Sequence, residues 1–284
     1  MDVPVNEMGR AALAFDHVEI VARTREGERT LVKDFSVAVA PGEVVGLIGE
    51  SGSGKTTAAR AAIGLLDHNV RVVGGSISVR GTVVHSAAEN RCAEIRGRDV
   101  GMVFQSAVGS LDPLMRVGRQ VNEVIRAHFP GLGKAEVRAR AAAVIASMGF
   151  EDVDRVLRAF PHELSGGMAQ RVGIALAIVT DPAVVIADEC TSALDVTTQA
   201  GVIDVLGELA HRGTGLLFVT HDLLLAGNIC DRIAVMFAGE LVEIGPVLDV
   251  LENPQHEYTR ELLAAVPDPH RNDFTPSPNF ALTA

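Results

Sequence analysis

Apolar positions in the first third of the chain alternate or come in short runs, the pattern of strands rather than long helices. In Ala12–Val21 the alternation is partial, and it predicts a strand with Leu13, Phe15, Val18 and Ile20 facing inward. Phe35–Val39 reads the same way and passes through the Pro41-Gly42 turn into Glu43–Ile48, a short apolar run of strand type. Ser76–Val79 and Thr82–His85 flank Arg80-Gly81 and predict a hairpin. Val100–Phe104 predicts a further buried strand, ending at Gln105.

From about Val117 the period lengthens to that of helices, over Val117–His128, Lys134–Met148 and Asp152–Ala159. In the second of these Val137, Ala141, Val144, Ile145 and Met148 form an apolar stripe, with Arg138 and Arg140 off it. This predicts a helical insertion, at about 106–162, between two parts of an α/β core. The core resumes with a helix over Gly166–Val179, stopped by Asp181-Pro182, and a strand over Ala183–Ala187. A helix over Val196–His211, closed by Gly213, and a strand over Gly215–Val219 follow. Arg232–Phe237 and Glu240–Ile244 predict a last hairpin around Ala238-Gly239. Strands alternating with helices imply a largely parallel sheet covered on both faces. The division expected is a core over 1–245 and a proline-rich tail over 246–284, its last dozen residues poorly ordered.

Composition narrows this only slightly. The 284 residues carry a net charge of −11, which argues against a general nucleic-acid binder. No apolar run reaches membrane-spanning length, and Asp2, Glu7 and Arg10 leave no room for a signal-peptide apolar region. Cys92, Cys190 and Cys230 are too widely spaced to suggest a disulfide framework or a zinc site. The expectation is a soluble protein of a reducing compartment, held at any membrane by something else.

Chemistry enters at Gly49-Glu-Ser-Gly-Ser-Gly-Lys55-Thr56-Thr57, which fits G-x-x-x-x-G-K-[ST] between a predicted strand and a predicted helix. Gly49, Gly52 and Gly54 let backbone N–H groups of the loop, including those of Ser51 and Ser53, turn toward one anion. The helix dipole points at the same spot. Lys55 can reach terminal phosphates, and the Thr56 hydroxyl can ligate Mg²⁺, with Thr57 beside it. A chance match is on the order of one in several hundred. A glycine-rich turn with an incidental lysine is therefore the weaker reading.

A phosphate loop alone leaves kinases, GTPases, recombinases and motors open. Leu164-Ser165-Gly166-Gly167-Met168-Ala169-Gln170-Arg171 offers a hydroxyl and bare N–H groups at a helix start, a second anion site, although a lone Ser-Gly-Gly is more often an ordinary helix cap. Val184–Asp188-Glu189 puts two carboxylates where an apolar strand emerges, a costly place without a cation or polar partner. Ser192-Ala-Leu-Asp195 and Thr220-His221-Asp222 follow. In this order the motifs resemble the nucleotide-binding subunits of ABC transporters.

That resemblance implies a P-loop NTPase core of RecA-like type, with an antiparallel β subdomain and an inserted α-helical subdomain. It implies ATP and Mg²⁺ as ligands. Thr56, Asp188 and Gln105 would hold the metal. Glu189 would polarise the attacking water, His221 would contact the γ-phosphate, and Gln105 would sense nucleotide. Ser165, Gly166, Gly167 and Asp195 would face the nucleotide of a second ATPase subunit, identical or paralogous. Gly46–Thr56, Pro161–Met168, Ile186–Thr197 and the tail Asn253–Pro267 resemble the dipeptide, oligopeptide and nickel importers of bacteria. Two permease subunits and an extracytoplasmic binding protein are then implied, with the chain peripheral on the cytoplasmic face of the inner membrane and no nucleic-acid partner. Peptide uptake is the leading expectation. Nickel or chelate uptake, and a weakly hydrolysing partner subunit, stay open. A soluble ABC ATPase of DNA repair or translation fits less well, because neither a long coiled-coil insertion nor a second ATPase domain is present.

Three departures carry expectations of their own. The aromatic that stacks on adenine in the family is replaced by Ala22, followed by Arg23, so stacking is lost or passed to a guanidinium. The usual proline after Glu189 is Cys190, which loosens the backbone and places a thiol near the site. No cysteine follows Cys230, so no iron–sulfur cluster is expected in the tail.

Overall fold

The computed structural model describes residues 11–192 and 194–265, and the expected disorder of the last dozen residues lies outside them. Among the described residues ten strands share one curled sheet. In chain order they are β1 (Leu13–Thr24), β2 (Gly27–Val39), β3 (Val44–Ile48), β4 (Val70–Val79) and β5 (Thr82–Ser86). Then come β6 (Val100–Val103), β7 (Val184–Asp188), β8 (Gly215–Thr220), β9 (Arg232–Phe237) and β10 (Glu240–Pro246). Their spatial order is β5-β4-β1-β2-β10-β9-β3-β8-β7-β6.

The sheet has two halves of different character. β5, β4, β1 and β2 are antiparallel neighbours, whereas β9, β3, β8, β7 and β6 are parallel. β10 joins them, antiparallel to β9 and bridged to β2 at Glu240 and Lys33, whose side chains pair at 2.7 Å.

In the parallel half, position parity decides which of two cores a side chain enters. Val44, Ile48, Val185, Ala187, Leu216 and Phe218 face one core, shared with the helices Gly166–Ile178, Val196–His211 and Leu223–Ile229. Val45, Leu47, Val184, Ile186, Leu217 and Val219 face the other, with Ala58, Ala59, Ala61 and Ala62 of the helix Lys55–Ala62. Burial on both faces explains why these strands read as unbroken apolar runs.

The helical segment folds as Val117–His128, Lys134–Ala146 and Val153–Arg158. Val117, Val121 and Ile125 of the first and Val137, Ala141 and Ile145 of the second are buried, the spacing of one helix face. Arg140, off that stripe, is not simply solvated: it lies 4.5 Å over the Phe129 ring, and its Nε donates to the Val179 carbonyl at 2.6 Å. It thereby satisfies a carbonyl at the end of the helix Gly166–Ile178, where a cation is favoured.

Several predicted elements need correcting at their ends. β1 runs three residues past the predicted Val21, β2 begins at Gly27 rather than Phe35, and β4 begins at Val70 rather than Ser76. The added stretch of β2 is mostly exposed, so its pairing with β1 left no apolar signature. The helices Leu223–Ile229, Val247–Glu252 and Glu257–Ala264 were not predicted.

Candidate functional site

The C-terminal ends of the parallel strands set the site. Ile48 pairs with Thr220, Asp188 with Val219 and Val103 with Ala187, so β3, β8, β7 and β6 finish at one edge. The residues following them therefore converge, as in other open α/β sheets. They are the loop 49–54, His221, Glu189 and Gln105.

The loop is fitted closely to its neighbours. A Cβ on Gly49 would sit 2.1 Å from the Met236 carbonyl oxygen, so no side chain can stand there. Gly54 caps the following helix at φ 106, a conformation that only glycine adopts cheaply. Lys55 is buried, and its Nζ donates to the carbonyls of Gly49 at 2.7 Å and Glu50 at 2.8 Å. Ser53 is buried as well, and its Oγ has no hydrogen-bond partner among the described residues. Ser51 and Gly52 are exposed at the loop's tip, and Thr57 is half-buried.

Two carboxylates close the pocket from the next strand but one. Thr56 Oγ1 donates to Asp188 Oδ1 at 2.9 Å. Glu189 Oε2 accepts from Gln105 Nε2 at 2.9 Å, and Oε1 lies 3.5 Å from His221 Nδ1. Burial pushes the Asp188 carboxyl above its ordinary value, against the Thr56 hydrogen bond and the Arg60 charge. Burial likewise pushes the Lys55 ammonium below its ordinary value, while Glu189, Asp188 and Glu50 pull it back. Each charge is thus undersolvated and incompletely paired, as expected where an ionic ligand completes the balance.

A second group lies on the helix starts. Ser165 caps the helix Gly166–Ile178, its Oγ accepting from the Met168 N–H at 3.3 Å. Asp195 caps Val196–His211, accepting from the Thr198 N–H at 3.0 Å and from the Thr198 hydroxyl at 2.7 Å. Gly167 is packed directly against Thr198, which ties the two helix starts together. A cleft of about 720 Å³ is lined by Gln105, Asp188, Gly166, Gln170 and Ser192, among others.

Arg23 is not drawn into either group. It is exposed at the outer end of β1, where its N–H donates to the Asn69 carbonyl at 2.7 Å. Ala22 beside it is buried, paired with Arg29 and Val70. Cys190 is buried too, and its thiol is pushed up to about 12 by burial. It belongs to the core and is inert, so the expected thiol near the site is not an accessible one.

Two residues that the motifs contain have roles that went unseen in the sequence. Asp222 caps the helix Leu223–Ile229 through the Leu225 N–H, a start signal hidden beside His221. Tyr258 reaches the loop from the tail, its hydroxyl accepting from the Glu50 N–H at 3.0 Å. It is the chain's single tyrosine, the one available hint.

The sequence pattern of the ABC transporter family matches residues 32–192, which include the loop, Gln105, Ser165–Gly167, Asp188 and Glu189. The chain belongs to the ABC transporter family. The pattern of the oligopeptide/dipeptide transporter C-terminal region matches residues 242–278. A putative peptide import ATP-binding protein of Brucella abortus (strain 2308) is 43% identical over 262 residues, covering 90% of this chain and 77% of that protein. The oligopeptide transport ATP-binding protein OppD of Mycobacterium tuberculosis (strain ATCC 25618 / H37Rv) is 44% identical over 249 residues, 87% of this chain and 40% of its own length. Among solved structures, a dimeric ATP-binding cassette in a post-hydrolysis state with ADP and Pi superposes with a TM-score of 0.72 at 27% identity. The overlap covers 83% of this chain and 98% of that one. The cbiO1 subunit of a Clostridium perfringens ABC transporter complex gives a TM-score of 0.73 at 24% identity, over 86% and 92%, a likeness of fold. This ABC chain binds nucleotide and is an ATPase. Among its described residues no helix is long and apolar enough to cross a membrane.

Proposed function

We propose that the chain is the ATP-hydrolysing subunit of a bacterial peptide importer, bound to permease subunits on the cytoplasmic face of the membrane. The observation that carries the importer reading is the tail, residues 242–278, which has the pattern of oligopeptide/dipeptide transporters. The relatives named for peptide import agree with it. In this reading residues 1–245 form the ATPase unit, with the helices around 106–162 turned to the permeases, and two such units close around ATP.

The residues fit both ATP and Mg²⁺. The donor-rich loop, the unpartnered Ser53 hydroxyl and Lys55 suit a triphosphate. Thr56, Asp188 and Gln105 are oxygen donors suited to Mg²⁺, which supplies charge neutralisation on the phosphate oxygens when bound. Lys55 exchanges its bonds to the Gly49 and Glu50 carbonyls for phosphate oxygens. Glu189 aligns a water and draws on its proton as the water's oxygen bonds to the γ-phosphorus. The bond to the β–γ bridging oxygen breaks, releasing ADP and phosphate. His221 steadies Glu189 and donates toward the γ-phosphate. Ser165–Gly167 and Asp195 cap the triphosphate on the partner's loop, so one subunit holds half of each site.

Glu189→Gln tests this. The variant should bind ATP as the parent does, lose hydrolysis by at least ~10²-fold, and persist as a closed dimer on size-exclusion chromatography. Parental turnover in the variant would refute the role of Glu189.

A further inference from the structure

The tail does not simply trail from the core. Glu243, buried on β10, accepts from the Gln255 N–H at 2.8 Å and from the His256 N–H at 3.0 Å, one through each carboxylate oxygen. These bonds fix the chain where it enters the helix Glu257–Ala264. His256 Nδ1 then caps that helix by accepting from the Tyr258 N–H at 3.2 Å. The first turn of the helix is thereby held through its backbone.

Tyr258 is the side chain this scaffold delivers. Its ring lies against Phe237, tilted by 34° with centroids 4.2 Å apart, and the residue is 6% exposed. Its hydroxyl accepts the Glu50 N–H at 3.0 Å. The carbonyl of the same peptide, that of Gly49, accepts from Lys55 Nζ at 2.7 Å, so Tyr258 and Lys55 hold this trans peptide from its opposite edges. Nearby, the Gly239 N–H donates to the Ser53 carbonyl at 3.0 Å. One wall of the phosphate loop is thus braced by β9, β10 and the tail. Burial raises the Tyr258 phenol above its ordinary value, against the Glu50 N–H and with the Glu50 carboxylate, so the hydroxyl stays neutral.

We infer that Tyr258 is a positioning residue for nucleotide binding: docking of the tail helix holds the peptide between Gly49 and Glu50, and with it the backbone of the loop, in the shape that receives the triphosphate, while Lys55 leaves those carbonyls for phosphate oxygens. The inference rests on the reading of residues 49–57 as the ATP site. Because coupling is reciprocal, nucleotide in the loop must strengthen tail docking by the factor by which docking strengthens nucleotide binding. One hydrogen bond sets the scale at about 2- to 10-fold.

The test uses the full chain and a fluorescent, slowly hydrolysed ATP analogue. Tyr258→Phe keeps the ring on Phe237 and removes only the hydroxyl. It should weaken analogue binding by about 2- to 10-fold and speed amide exchange in the peptide containing Glu50. In the parent the analogue should slow trypsin cleavage at the exposed Arg260 of the tail helix. In Tyr258→Phe that protection should be lost. Unchanged affinity in the variant, or protection that persists in it, overturns the inference. Lys55→Ala separates the two readings. If it binds the analogue as the parent does, the ATP assignment of the loop fails. If it loses binding while Tyr258→Phe behaves as the parent, only the role of Tyr258 fails.

Discussion

Gly167 offers the most direct test of how the two helix starts are joined. A Cβ at this position would sit 2.0 Å from Thr198 Cγ2 and 3.2 Å from its Cβ and Oγ1. Carbon contacts are comfortable near 3.5 Å, so Gly167→Ala forces one partner back by roughly 1.5 Å. Thr198 cannot rotate away freely, because its hydroxyl and its N–H both donate to Asp195. Overpacking of this kind costs about 1–3 kcal/mol, and releasing Thr198 from Asp195 adds ~0.5–1.5 kcal/mol. At about 2–4 °C per kcal/mol, Tm should fall by roughly 3–18 °C. Because Asp195 is displaced with Thr198, ATPase activity should fall as well. The decisive measurement is thermal unfolding of the double variant Gly167→Ala/Thr198→Ser. Serine removes the offending Cγ2 and keeps the hydroxyl on Asp195, so the double variant should recover more than half of the lost Tm. Strict additivity of the two substitutions, or a Gly167→Ala protein as stable as the parent, would refute the packing argument.

A further prediction follows from the anchor of the tail. Burial pushes the Glu243 carboxyl up, yet the Gln255 N–H, the Thr259 side chain, the His256 N–H and the His256 charge together outweigh this and hold it below its ordinary 4.5. A depressed folded value means stability that is complete above about pH 4.5 and lost as pH falls through the folded value. Parent and Glu243→Gln should therefore differ in Tm at pH 7 and converge as the pH falls below 4.5, whereas a constant gap would contradict the linkage.

Local structure was legible in the sequence wherever one motif carries it within a few residues. Gly49–Thr57, Ser165–Gly167 and Asp188-Glu189 are of this kind, because a loop or strand end places its own neighbours. The strand β1 was legible only as a broken alternation: Leu13 and Phe15 share one parity, Val18 and Ile20 the other. The structure gives the reason, a register shift between Phe15 and Val18 with His17 at φ 49. The outer half of β2 and the tail helices lacked apolar periodicity long enough to register. The Glu50–Tyr258 contact spans 208 positions and leaves no local trace, since only the closed sheet and the Glu243 anchor bring the two together.

The adjacency of Asp188 and Glu189 poses a problem that the backbone solves. In a continued strand, neighbouring side chains point to opposite faces, so two consecutive carboxylates cannot serve one pocket. Asp188 is the last residue of β7 and keeps strand geometry, directed at Thr56. Glu189 departs from it at φ 48, a left-handed conformation unusual for glutamate and costing about 1–3 kcal/mol. Its N–H still donates to the Val219 carbonyl at 2.9 Å, and its own carbonyl accepts from Ser192, so the turn is held from both ends. The turn redirects the carboxylate to Gln105 and His221. Proline at position 190 would bias the preceding residue toward extended backbone, away from this turn, and Cys190 imposes no such bias. The departure from the family's usual residue thus falls where this chain bends to direct Asp188 at Thr56 and Glu189 at Gln105 and His221.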